Sequence, residues 1–203
     1  MKVNGYHSPR REQLKINFQT QLTMSRQFIA SSNITIKGKG APIDPLVINF
    51  DGNAGDLTTV KYSFDLDMDG TGEEISFLRE GSGFLALDLN NDGVVNDGSE
   101  LFGPSSGNGF SELAQYDSDQ NGWIDENDAV FDKLRIWSKD STGKDVLFGL
   151  GQKGIGAIFL GNISARYTFN NAENQTLGQA QKAGIFLRED DSAGTVQQID
   201  LTA

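Results

Sequence analysis

At 203 residues with 37% hydrophobic content, the chain is long enough for one domain with a real core, with or without a small appendage. A formal charge of −11 argues against nucleic acid as a partner, and the absence of cysteine excludes disulfides, thiolate metal sites and cysteine nucleophiles. A single histidine, His7, disfavours zinc sites and Ser-His-Asp chemistry, and no apolar run approaches the roughly 18 residues of a membrane span.

The N-terminal MKVNGYHSPRREQ is polar and basic, lacks the apolar segment of a signal peptide, and reads as a tail. Leu14, Ile16, Phe18, Leu22 and Met24 share one parity, which predicts a strand with one buried face. SSNITIKGKGAP is a turn-rich linker with a short strand at 34–36. Residues 1–43 are therefore read as tail, strand and linker, and 44–203 as the main module. Pro45 opens LVINF, a buried strand, and DGNAGD (Asp51, Asn53, Asp56) is a plain turn. Tyr62, Phe64 and Leu66 mark a strand that runs into an acidic loop; ISFL leaves that loop, and GFLALDL enters a second one. ELFG is a short helical turn. In GFSELAQY, Phe110, Leu113 and Tyr116 have helical spacing, with Ser111 as N-cap. ENDAVFDKLRIW predicts a second helix, with Val130, Phe131, Leu134 and Trp137 as its apolar stripe. Beyond residue 140, GIGAIFL and RYTF are strands, and GIFLRED and TVQQIDL form a hairpin. The predicted fold class is α+β: mostly β strands around calcium loops, one EF-hand-like helix-loop-helix, and a C-terminal β hairpin.

Three acidic loops carry the chemistry. In DSDQNGWIDEND, Asp117, Asp119, Asn121, Asp125 and Asp128 hold positions 1, 3, 5, 9 and 12, and Gly122 holds position 6. This is EF-hand spacing: calcium takes six to eight oxygens, and a tight loop turns alternate side chains inward to supply them. The Trp123 carbonyl is the expected position-7 ligand. In DLDMDGTGEE, Asp65, Asp67 and Asp69 hold positions 1, 3 and 5, Gly70 holds 6, the Thr71 carbonyl follows, and Glu73 holds 9. With strands on both sides, this loop resembles the calcium loops of integrin-type β-propeller repeats. In DLNNDGVVNDGSE, Asp88, Asn90 and Asp92 hold 1, 3 and 5, with Gly93 at 6 and the Val94 carbonyl at 7. Position 12 is Ser99, a poor ligand; Glu100 lies one residue further, and Gly98 permits the bulge that lets it reach back. SKDSTGKD, with its lysines, is read as a solvated turn. Between Asp65 and Asp128 there are 16 Asp or Glu against one basic residue, Arg79. That density opposes compaction unless cations neutralise it.

The order Asp44-Pro45, LVINF, Asp51-Gly52, D-x-D-x-D-G, GFLALD, GSELFG, GFSEL and D-x-D-x-N-G-W-I-D resembles the calcium-dependent self-processing modules of bacterial RTX proteins of the FrpC type, and related bacterial proteins with the same acidic core. The resemblance covers roughly residues 44 to 160. It implies that calcium folds the module and that an Asp-Pro bond at its N-terminal edge breaks, which by position is Asp44–Pro45. A side-chain carboxyl can attack its own main-chain carbonyl, close a five-membered anhydride and expel the prolyl nitrogen. Water, or a lysine amine, then opens the anhydride.

Three functions follow as expectations. The first is a noncatalytic module stabilised by about three calcium ions in weak, extracellular-type sites. The second is a single-turnover protease of its own Asp44–Pro45 bond. The third is a surface adhesion or scaffold domain whose calcium is structural. Calcium points to an extracellular or cell-surface location, reached without a visible signal, with a cytoplasmic location as the alternative. No protein partner is legible.

Overall fold

The computed structural model describes residues 43–51 and 55–202. The tail, His7, the predicted strands at 14–24 and 34–36, and Asn53 lie outside them. Eleven strands occur among the described residues: β1 (Leu46–Asn49), β2 (Leu57–Phe64), β3 (Glu73–Leu78), β4 (Ser82–Leu87), β5 (Trp123–Asp125), β6 (Leu134–Lys139), β7 (Asp145–Gly149), β8 (Ile155–Phe159), β9 (Ile163–Asn170), β10 (Thr176–Arg188) and β11 (Ala193–Leu201). One short helix, α1 (Gly109–Leu113), continues into a 3-10 turn at Ala114–Tyr116. The large sheet runs β5-β8-β10-β11-β1-β4-β6-β7, with β9 also on β10, and its ladders are antiparallel; β2 and β3 form a separate hairpin.

β1 is the middle of this arrangement. It is only four residues long, yet each is buried. Leu46 and Ile48 enter one core with Phe110 and Leu113 of α1, Ile136, Ile158, Phe186 and Val196. Val47 enters the other core, under the β2–β3 hairpin, with Phe64, Phe77, Phe84 and Trp137. Burial on both faces explains why Leu46, Val47 and Ile48 are apolar without alternation, and the buried Asn49 is satisfied by Thr195, Gln197 and Ser82. Each such side chain contributes about 1.5–3 kcal/mol on burial. The second core is aromatic: Trp137 lies 4.8 Å from Phe64 and 5.0 Å from Phe77, ring centre to ring centre.

β10 and β11 form the predicted C-terminal hairpin, with Leu187 opposite Ala193 at its tip. β10 shifts register between Ala180 and Lys182 against both β9 and β11, the mark of a bulge that bends the strand. Gly184 of β10 lets α1 sit down on the sheet, since a Cβ there would lie 2.8 Å from the Phe110 ring.

The α+β expectation is overturned: the described chain is mostly β, and it contains no EF-hand helix pair. The entering helix shrinks to the five residues of α1, and its N-cap is Asn108, not Ser111. The leaving helix does not form. Its place is taken by a turn, a 3-10 turn at Phe131–Lys133 and β6. Of the residues that mimic a helical stripe, Val130 and Phe131 lie in the turn, and Leu134 and Trp137 lie in β6, a strand buried on both faces. Leu134 and Ile136 enter one core and Trp137 the other, while β6 supplies the backbone partners that the edge of β4 requires. A short run with apolar residues on both faces fits either period, and here the unpaired strand edge decides.

Candidate metal loops and the Asp44–Pro45 bond

The three acidic loops share one backbone design. At position 4 each has a residue in the left-handed region: Met68 (φ 63°), Asn91 (φ 59°) and Gln120 (φ 57°). At position 6 each has a glycine with positive φ: Gly70, Gly93 and Gly122. The position-1 carboxylates, Asp65, Asp88 and Asp117, each accept from the amides of positions 5 and 6 at 2.8–3.2 Å. The position-3 side chains, Asp67, Asn90 and Asp119, accept from the position-5 amide. The position-5 side chains, Asp69, Asp92 and Asn121, accept from the amides of Thr71, Val94 and Trp123. The Val94 amide, helped by the side-chain amides of Asn96 and Asn90, holds the Asp92 carboxyl below its usual range.

The loops differ in length but close alike. Glu73, Glu100 and Asp128 each turn back to accept from the position-2 amide of their own loop: Leu66 (2.9 Å), Leu89 (2.9 Å) and Ser118 (2.8 Å). Glu100 gets there through a 3-10 turn at Gly98–Glu100, capped by Asp97, and its other oxygen accepts from the Asn96 amide. Gly98 also ties the first two loops together: its amide donates to the Asp65 carbonyl at 2.9 Å, and a Cβ would lie 2.0 Å from the Leu66 oxygen.

Carboxylate oxygens of Asp65, Asp67, Asp69 and Glu73 lie within 4.8 Å of one another, as do those of Asp117, Asp119 and Asp128. Both groups are close enough to hold a metal ion. Asp125 is fully buried and accepts from the Asn127 amide, so it shapes the turn after β5. Asn96, at position 9 of the second loop, donates to Asp92 and accepts from Asn90. Position 9 is also where Glu73 and Asp125 stand, a signal that marks Asn96 as a member of this set. The SKDSTGKD segment is a self-capped turn in which Asp140 accepts from Thr142 and Lys144.

At the N-terminal end of β1 the sheet carries a second polar group. Leu46 pairs with Gln198 of β11. One step outward, the Ile199 amide donates to the Pro45 carbonyl at 3.1 Å, and proline costs this ladder only the N–H it lacks. Continued one step further, this register puts Asp200 across from Asp44. Asp44 is buried: its Oδ2 accepts from Gln198 Nε2 at 3.0 Å, and its Oδ1 has no hydrogen-bond partner. The same Gln198 nitrogen donates to the Gly107 carbonyl at 3.0 Å. Lys182, opposite Gln198 in the β10–β11 ladder, donates to Asn108 Oδ1 at 2.7 Å. Burial pushes the Asp44 carboxyl up, against the Gln198 hydrogen bond and the Lys182 charge. Burial, then the charge of Asp44, pushes Asp200 up to about 6.

The segment that follows Glu100 seats this bond. The Phe102 carbonyl accepts from the Leu46 amide at 2.8 Å. Gly103 (φ 129°) packs so tightly that a Cβ would lie 2.0 Å from the Asp44 carbonyl oxygen. Glu112 of α1 holds this segment by accepting from the Gly103 amide and the Ser106 hydroxyl, both at 2.6 Å. Gln198, Asp200 and Lys182 carry no local sequence signal; Gln198 is 154 residues from Asp44, and the hairpin register brings the three together.

The SPM domain model matches residues 46–202, most of the chain. The chain is similar to the iron-regulated protein FrpA of Neisseria meningitidis serogroup C, at 30% identity over 112 residues. That match covers 49% of the chain and 10% of the relative, so the chain spans about a tenth of that protein's length.

Because Glu100 closes its loop through two backbone amides, Glu100→Ala is expected to cost about 1–3 kcal/mol. Ser99→Ala, which removes only an exposed hydroxyl, is expected to leave stability unchanged within about 0.5 kcal/mol. Urea unfolding midpoints of the two variants check this order.

Proposed function

As the chain belongs to the SPM domain family, we propose that it is a calcium-binding module, ordered when cations neutralise its acidic loops. The observation that supports this most is the repeated closure: three loops of different length each bring a carboxylate back onto the position-2 amide. The available donors are all oxygen, carboxylates and amides without sulfur or imidazole, which suits a hard cation. Asp65, Asp67, Asp69 and Glu73 would hold one ion; Asp88, Asn90, Asp92 and Glu100 a second; Asp117, Asp119, Asn121 and Asp128 a third. The carbonyls of Thr71, Val94 and Trp123 complete these sets in the proposal. Calcium here supplies charge neutralisation and fixed loop shape. Asp128, shorter than glutamate, and the mixed ligand sets suit weak sites, and hence an extracellular or surface setting with millimolar calcium.

Calcium is expected to raise the melting temperature and sharpen the transition relative to chelator. Asp117→Ala is expected to lower the calcium count in a titration by about one. Identical melting in calcium and chelator would contradict the reading.

A second reading has its own support. Asp44 is buried beside Pro45 with Oδ1 unpartnered, and the segment that seats the Asp44–Pro45 bond begins one residue after Glu100. We infer that calcium at the second loop orders 101–103, which positions the bond for self-cleavage. In millimolar calcium, a denaturing gel is expected to show fragments of 44 and 159 residues, the division of the 203-residue chain after Asp44. Asp44→Ala is expected to abolish them. An intact band over days would leave the binding function alone.

A further inference from the structure

We propose that Gln198 and Asp200 of β11 are the positioning residues for cleavage at Asp44–Pro45: Gln198 pins one oxygen of Asp44 so that the other attacks, and Asp200 holds the proton that the departing prolyl nitrogen takes. The proposal rests on the self-cleavage reading and adds the residues that carry its proton and its geometry.

Placement is the first argument. Leu46, Gln198 and Lys182 stand in one row of the sheet, and Asp44 and Asp200 occupy the next same-face row outward. Gln198 is itself fixed, since its Nε2 spans Asp44 Oδ2 and the Gly107 carbonyl. That leaves Asp44 Oδ1 as the only carboxyl oxygen of this residue without a hydrogen bond. Of three buried side-chain atoms without partners among the described residues, two are in this group, Asp44 Oδ1 and Gln198 Oε1. Buried polar atoms without partners are rare, and they cluster where a structure does chemistry.

Charge is the second. Two carboxyls close together in a partly desolvated place cannot both ionise readily, so the pair retains a proton. The groups that face it decide which member is ionised. Lys182 lowers Asp44 from the β10 side. Gln179, opposite Asp200, is neutral. The covering loop offers the Gly107 carbonyl and Asn108, and the Glu112 carboxylate is turned to Gly103 and Ser106. The cation therefore favours an ionised Asp44 and a protonated Asp200.

The step balances without any further reactant. Asp44 Oδ1 bonds to the Asp44 carbonyl carbon, and the bond from that carbon to the Pro45 nitrogen breaks. The electron pair stays on nitrogen, which takes the proton from Asp200. The products are a five-membered aspartyl anhydride, a free prolyl amine and the Asp200 carboxylate. Water opens the anhydride to two carboxyl groups and returns a proton to the pair.

The test is the rate of fragment formation in saturating calcium between pH 5.5 and 8. In the wild type the rate is expected to fall as pH rises through about 6, because Asp200 ionised above that point has no proton to give. Asp200→Asn is expected to slow cleavage at pH 6 by about 100-fold or more and to flatten this fall, and Asp200→Glu to restore both rate and slope in part. Gln198→Leu is expected to slow cleavage with the pH slope retained. Calcium-dependent melting of each variant shows whether it folds; if Asp200→Asn does not, the wild-type profile decides. Wild-type cleavage that is flat over this range, or Asp200→Asn cleaving at the wild-type rate and slope, overturns the proposal. Wild-type protein intact at every pH overturns the self-cleavage reading beneath it and the proposal together.

Discussion

Sixteen carboxylates and one guanidinium between Asp65 and Asp128 have to be fitted into a small β fold. Everything else in the molecule answers to that constraint. Most of them are gathered into three loops, where several stay exposed to water and each loop's first carboxylate accepts from backbone amides of its own loop. The two ion pairs described, Arg79 with Asp56 and Lys139 with Asp145, lie outside those loops. Backbone amides orient the carboxylates and offset part of their mutual repulsion, and the remaining charge is the reason the account needs cations.

The loops matter to the fold because of where they sit. The first joins β2 to β3, which together roof one core. The second follows β4, a neighbour of the central strand β1. The third leads into β5, at the far end of the sheet. From the second loop a short physical path reaches the N-terminal end of β1. Glu100 closes the loop, Leu101 bridges to Ala86, the Phe102 carbonyl takes the Leu46 amide, and Gly103 lies against the Asp44 carbonyl. Three consecutive residues, 101–103, thus link the Glu100 closure to the Asp44–Pro45 bond. The third loop contains β5, which pairs with β8.

The shape of the loops was legible in the sequence, because local chemistry decides it. The loop positions are set by oxygen side chains at alternate places and a glycine that tolerates positive φ. The return of Glu100 over an extra residue follows from Gly98. Sequence reading failed where pairing decides. The stretch from Val130 to Trp137 satisfies a helical stripe, and the open edge of β4 makes its second half, from Leu134, a strand. EF-hand spacing does not bring helices with it: the loop of Asp117 to Asp128 has a 3-10 turn before it and β5 inside it. The group around Asp44 was half legible. The Asp-Pro dipeptide is visible, but Gln198 and Asp200 meet it through the register of a distant hairpin, which leaves no trace in spacing.

The central claim is that cations at the three loops hold this fold in shape. Amide hydrogen exchange at Leu66, Leu89 and Ser118 tests it most directly, because each of these amides is held by the closing carboxylate of its loop. All three amides are expected to be weakly protected in chelator and to gain protection in calcium, together with the Leu46 amide of β1 and the Ile199 amide of β11. Equal protection in chelator and in calcium would contradict it.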